Sequence, residues 1–91
     1  MYNTNFNEQK AKLSAKLFSF LEAEKAQENS RYYGLDNKSI IIGCVIAYFG
    51  ECSLKTLKKI APVSNLKSAI DKLSNVGIIQ IIKEEKYFKF I

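Results

Sequence analysis

Apolar positions change rhythm four times along this chain. From residue 7 to residue 29, Leu13, Leu17, Phe20 and Leu21 recur at spacings of four, three and one. That spacing puts them on one face of an α-helix. Asn5, with Glu8 three residues later, forms a capping box at its start. Glu8 and Lys12 stand four apart in the favourable order. The far end, Glu22-Ala23-Glu24-Lys25-Ala26-Gln27-Glu28, is polar but strongly helix-forming. The pattern predicts a helix of about 22 residues, roughly 33 Å long. Its apolar stripe makes a poor coiled-coil seam, because the register meets Lys10 before it and Glu24 after it. The stripe is expected to pack on the rest of the domain or on the same helix of a second subunit.

The segment from Asn29 to Asn37 reads as a connection, with Gly34 as a turn residue and Asp36 or Asn37 as the next helix cap. Tyr32 and Tyr33 can stack on bases or phosphates, or plug the edge of a core. The run Ile40 to Phe49 is apolar throughout. Its β-branched residues suit a strand. Its length, and the spacing of Ile41, Val45, Tyr48 and Phe49, suit a buried helix, and the following segments favour the helix. Gly50-Glu51-Cys52 closes the run as a turn. Ser53 caps a short amphipathic helix with Leu54, Leu57, Ile60 and Ala61 on one face and Lys55, Lys58 and Lys59 on the other, ended by Pro62. Ser64 caps a third helix, from Asn65 to about Asn75, with Leu66, Ala69, Ile70 and Leu73 inward; Gly77 is the left-handed residue beyond its end. Ile78–Lys83 and Lys86–Ile91 read as a hairpin around Glu84-Glu85, with Phe88 and Phe90 sharing one face.

A chain of 91 residues with 47% hydrophobic and 25% charged residues suits one soluble globular domain. Its longest apolar run has ten residues, against the roughly 20 a membrane helix needs. The first residues lack the basic-then-apolar pattern of a signal peptide. Histidine is absent, which removes the commonest general base and most zinc sites. Neither a Gly-rich phosphate loop nor a plausible carboxylate pair is apparent, so no enzyme, metal or cofactor is expected. Cys44 and Cys52 read as reduced thiols of a cytoplasmic protein, with a Cys44–Cys52 bridge as the alternative. Cys44 is expected to be buried and Cys52, in the turn, accessible.

The net charge is +5, and it is unevenly spread. Residues 1–33 carry five bases and four acids, whereas residues 34–91 carry nine bases and five acids. A local basic surface attracts polyanions, nucleic acid first. Lysine supplies thirteen of the fourteen bases; only Arg31 can make a bidentate guanidinium contact.

The succession of helix, serine-capped short helix, Pro-containing turn, third helix and Gly77-Ile78-Ile79 opening a hairpin resembles a winged helix-turn-helix domain. The resemblance covers residues 38–91. Its most telling part is Ile70-Asp71-Lys72-Leu73-Ser74-Asn75-Val76-Gly77-Ile78-Ile79. The Lys, Asn and Ile content and the added N-terminal helix resemble small DNA-binding proteins of archaea and their viruses. The resemblance implies an α+β fold: a three-helix core plus C-terminal β-hairpin, with an added long N-terminal helix. Residues 1–35 would serve dimerisation or docking through Leu13, Leu17, Phe20 and Leu21, and residues 36–91 would form the winged domain. It implies double-stranded DNA as partner, bound by a homodimeric transcription regulator. Ser64, Asn65, Lys67, Ser68, Asp71 and Lys72 would face outward from the third helix towards DNA, with Asn65 and Lys67 near its start reaching base edges. Lys55, Lys58, Lys59, Lys72, Lys83 and Lys86 would face phosphates. Asp71 and the acids Glu84 and Glu85 oppose that binding. They favour the alternative, a non-enzymatic winged-helix subunit of a replication or transcription complex.

Overall fold

The computed structural model describes residues 2–61, 64–84 and 86–91, with backbone alone for residues 2–7 and 10. The fold is α+β. Its elements are α1 (Tyr2–Glu24), α2 (Asn37–Phe49), β1 (Glu51–Ser53), α3 (Leu54–Ile60), α4 (Leu66–Asn75), β2 (Ile79–Ile82) and β3 (Tyr87–Phe90). The strands form one antiparallel sheet in the order β1-β3-β2. Among the described residues no helix is long and apolar enough to cross a membrane.

Helix α1 starts earlier and stops earlier than its sequence pattern predicts. Asn5 lies inside it rather than capping it. Beyond Glu24, the amides of Ala26 and Gln27 bond back to Ala23 and Glu24, three residues away. The Ser30 hydroxyl then donates to Glu24 Oε1 at 3.1 Å, and the Gly34 amide donates to the Lys25 carbonyl at 3.3 Å. These contacts fold residues 25–34 back on the helix end, so tertiary structure overrides a strong local propensity.

The Ile40–Phe49 run is helical. The Asp36 carboxylate accepts from the Ser39 amide at 3.0 Å and caps the start of α2. Gly50, at φ 81°, ends it and returns its amide to the Ile46 carbonyl. Ile40, Ile42, Gly43, Ile46 and Ala47 are buried on the core side. The other side meets α1. There Ile41 and Phe49 stay 44% and 40% exposed, so the Ile41–Val45–Tyr48–Phe49 face is not the fully buried one.

Glu51-Cys52-Ser53 is a strand, not a turn. Cys52 pairs with Phe88 and Glu51 with Lys89 on β3. Three residues are too few to show a period, and the strand exists because β3 supplies its partner. Ser53 then caps α3 as expected, accepting from the Thr56 amide at 3.1 Å. On α3, Leu57 and Ala61 are buried but Ile60 is 47% exposed. The proposed stop at Pro62 lies outside the described residues.

Ser64 does not cap α4. The cap position belongs to Asn65, which stands in the left-handed region at φ 55° and makes no side-chain cap bond. Leu66, Ala69, Ile70 and Leu73 face inward as expected. At its end Gly77 has φ 85°, its amide bonds to the Ser74 carbonyl, and the Ile78 amide bonds to the Leu73 carbonyl. That pair is a Schellman motif. The hairpin strands are shorter than predicted, because Lys83 and Glu84 already adopt positive φ and Lys86 lies in the turn. Glu85 lies outside the described residues. Phe88, on the central strand between Cys52 and Ile81, is 1% exposed, and Phe90 packs on the same core. Leu21 and Leu35 belong to that cluster too, so one core takes in residues from both halves of the chain.

Candidate nucleic-acid interface

The lysines of α3, α4 and the hairpin come together for a local reason. The Leu54 amide, opening α3, donates to the Lys86 carbonyl at 2.9 Å. This bond pins the hairpin turn beside the first turn of α3. A concavity of about 490 Å³ is lined there by Ser53, Leu54, Lys55, Lys58 and Lys86. A second, of about 250 Å³, is lined by Leu54, Lys67, Ile70, Asp71, Glu84, Lys86 and Phe88. The two share Leu54 and Lys86. Lys55 and Lys58 from α3, Lys67 from α4 and Lys86 from the hairpin therefore border two adjoining concavities, a basic hollow in two parts that meet at Leu54 and Lys86. All four are exposed.

The other expected contacts lie outside that hollow. Lys59 is exposed on α3. Lys83 stands over the Tyr87 ring, 5.1 Å from its centroid. Ser68 is exposed on α4. Ser64 and Asn65 are exposed just before α4, and Ser64 is engaged: its carbonyl and hydroxyl accept from Lys38 Nζ at 3.0 and 3.1 Å. Lys72 pairs with Asp36 at 3.5 Å, with both side chains about half exposed. The pair is screened by water, yet it ties α4 to the cap of α2. Among the described residues, the acids Asp71 and Glu84 line the hollow.

Neither Lys38 nor the Asp36–Lys72 pair was marked by sequence pattern. Both are single polar contacts between elements distant in sequence, with no local signal. Ser39, through the amide bond below, holds the Asp36 carboxyl below the usual carboxylate range; Lys72 adds to this, against partial desolvation. Of the two Ser39 groups, the amide makes the defined hydrogen bond. The hydroxyl is fully buried and out of bonding geometry, so we assign the capping to the amide.

The apolar stripe of α1 divides. Leu21 is fully buried and Leu17 packs partly against the core. Leu13 and Phe20 remain 46% and 48% exposed, with Phe20 edge-on to Tyr32 at 5.5 Å. Tyr32 also packs on the core and Tyr33 is exposed.

Cys52 is placed against expectation, and Cys44 meets its own only in part. Both are free; Cys52 is buried and Cys44 is half-buried. Cys52 points inward from β1 beside Phe88, whereas Cys44 sits on the α1 side of α2. Burial pushes the Cys44 thiol up to about 11 and raises that of Cys52. Among the described residues, no three Cys, Asp or Glu side chains are grouped as a metal would require.

Comparison with protein-family models, curated proteins and solved structures finds no match for this chain.

Proposed function

We propose that this chain is a non-catalytic, double-stranded DNA-binding protein of winged-helix architecture, acting as a homodimeric transcription regulator. The observation that carries the reading is the basic hollow, where lysines from three separate elements converge beside the exposed face of α4. The order α2-β1-α3-α4-β2-β3, with β3 central in the sheet, supports the winged-helix assignment. A groove-reading helix needs a rigid support and flanking phosphate contacts. Here α4 is buried through Leu66, Ala69, Ile70 and Leu73 and presents Lys67 and Ser68 outward.

A second reading, a non-enzymatic interaction subunit of a replication or transcription complex, draws on the acids Asp71 and Glu84 inside the hollow. Binding to random duplex DNA at two salt concentrations separates the two. Neutralising about four phosphates gives a slope of log affinity against log salt of roughly −3 to −4. Flat, weak binding at both salts selects the interaction subunit. Sequence reading is tested with Asn65→Gly, which keeps the left-handed backbone and removes the amide. The DNA proposal expects it to cost roughly 1–3 kcal/mol on a specific site and little on random duplex.

A further inference from the structure

Helix α4 begins without the support that usually fixes such a start. Asn65, at its cap position, stands at φ 55° and ψ 44° and makes no side-chain cap bond. This left-handed conformation is unfavourable for an L-residue, though less so for asparagine than for most. The first-turn amides nevertheless depend on it: those of Ser68 and Ala69 both donate to the Asn65 carbonyl, at 3.0 and 3.4 Å. A hold is supplied from outside the helix. Lys38, in the first turn of α2, donates from Nζ to the carbonyl and the hydroxyl of Ser64, at 3.0 and 3.1 Å. Two bonds from one ammonium group are thus committed to the residue just before the left-handed turn. Further along, Lys72 in the last turn of α4 pairs with Asp36 at 3.5 Å. The start of α2 therefore meets α4 at its entry and again near its end.

We propose that Lys38 is a positioning residue for sequence reading. It fixes the Ser64–Asn65 entry of α4, and through it the base-reading residues Asn65 and Lys67, without itself contacting DNA. The effect on DNA rests on the function proposed above; the anchoring of α4 does not.

Base edges and phosphates respond differently to a misplaced helix. A base-edge hydrogen bond needs its donor and acceptor within about 2.7–3.2 Å and close to linear, and it weakens steeply outside that range. A lysine reaching a phosphate acts as a point charge on a flexible stem and tolerates a shift of the backbone beneath it. Loosening the entry therefore erodes discrimination between sequences and leaves general affinity for duplex in place. A lysine that itself met phosphate would do the opposite, because its loss would weaken every sequence alike and lower the salt slope.

The test is Lys38→Met, which keeps an unbranched, helix-forming side chain and removes the donors. A specific site is first selected with the wild type from a random duplex library. Both proteins are then titrated with that site and with random duplex at two salt concentrations. The variant should lose roughly two- to tenfold on the selected site, the usual worth of an anchored hydrogen bond, with random-duplex affinity and salt slope unchanged. In the free protein, amide exchange at Ser68 and Ala69 should quicken by a similar factor. The Val76 amide, bonded to the Lys72 carbonyl at the far end of α4, should keep its rate. A salt slope lower by about one, with equal loss on both duplexes, would overturn the proposal. So would an unchanged selected-site affinity, whether or not the two amides quicken, and so would unchanged exchange at Ser68 and Ala69. If the wild type enriches no sequence and binds weakly at both salts, the DNA reading falls and the specificity role with it. Quickened exchange would then still establish Lys38 as the anchor of α4.

Discussion

Asp36 sits where two contacts of different kind meet, and substitution can separate them. Its carboxylate caps α2 through the Ser39 amide and pairs across to Lys72 on α4. Loss of an N-cap costs about 1 kcal/mol, within a range of roughly 0.5–2. The Lys72 pair, half exposed on both sides, is worth at most about 0.5 kcal/mol after screening. Asp36→Ala should therefore cost about 1–1.5 kcal/mol. Asp36→Asn keeps an equivalent cap and should cost less than about 0.5 kcal/mol. Thermal melts resolve this difference, since about 1 kcal/mol moves the midpoint of a domain this size by roughly 4–8 °C. The pH dependence has a definite sign. The folded carboxyl titrates below its unfolded value, so its contribution is complete above about pH 4 and is lost as pH falls through the folded value. Asp36→Asn should lack that acid-side loss. If Lys72, once released, faces a phosphate, the same variant should bind duplex more tightly and steepen the salt slope by about one. Equal destabilisation by Asn and Ala would refute the capping argument, and an Ala variant as stable as wild type would refute both contacts.

Three further outcomes follow from local geometry. Gly77→Ala should cost about 1–2 kcal/mol by denaturant titration, because φ 85° is unfavourable for an L-residue although nothing lies within 4 Å of its added Cβ. Glu84→Gly should stabilise by a few tenths to about 1 kcal/mol by relieving a left-handed residue at φ 57°; on the DNA reading it should also raise duplex affinity by removing an acid from the hollow. In mass-resolved alkylation of the native protein, Cys44 should react before Cys52, slowly near neutrality and faster as pH climbs towards 11; modification of Cys52 first would contradict the burial described.

The elements most legible in sequence were those whose signals are local. Ser53 as a cap, Gly77 as a left-handed terminator and the inward face of α4 each depend on residues within one or two turns. The hairpin pattern was legible too, because alternation places Phe88 and Phe90 together. What escaped depends on residues far apart. β1 exists through β3, more than thirty residues away. The end of α1 is set by Ser30 and Gly34 returning to it. Ser64 looked like a cap by composition, but Lys38 engages it and Asn65 turns the chain instead. The lysines of the candidate site were visible as charges. Their sorting into those around the hollow, Lys55, Lys58, Lys67 and Lys86, and those outside it needed the Leu54–Lys86 bond. Cys52 was misplaced for the same reason as β1, since a residue placed in a turn was expected to face water.

The all-apolar character of α2 did carry a message about the N-terminal segment. A helix hydrophobic on every side must be covered on every side. The domain core covers one face, through Ile40, Ile42, Ile46 and Ala47, and α1 covers much of the other. On this argument α1 is a structural lid over α2, whatever else it does. Removing residues 1–24 would strip away Leu21, whose full burial is worth roughly 1.5–3 kcal/mol, and the partial packing of Leu17. It would also lay bare Val45 and Tyr48 beside the already exposed Ile41 and Phe49. A chain of residues 25–91 should therefore melt at least roughly 10 °C lower, bind a hydrophobic dye and aggregate at concentrations where the full chain is clear. Should that fragment instead remain monodisperse with an unchanged melting midpoint, α1 contributes nothing to the core. The burial of Leu21 would then be incidental, and the apolar outer face of α2 would need a different explanation.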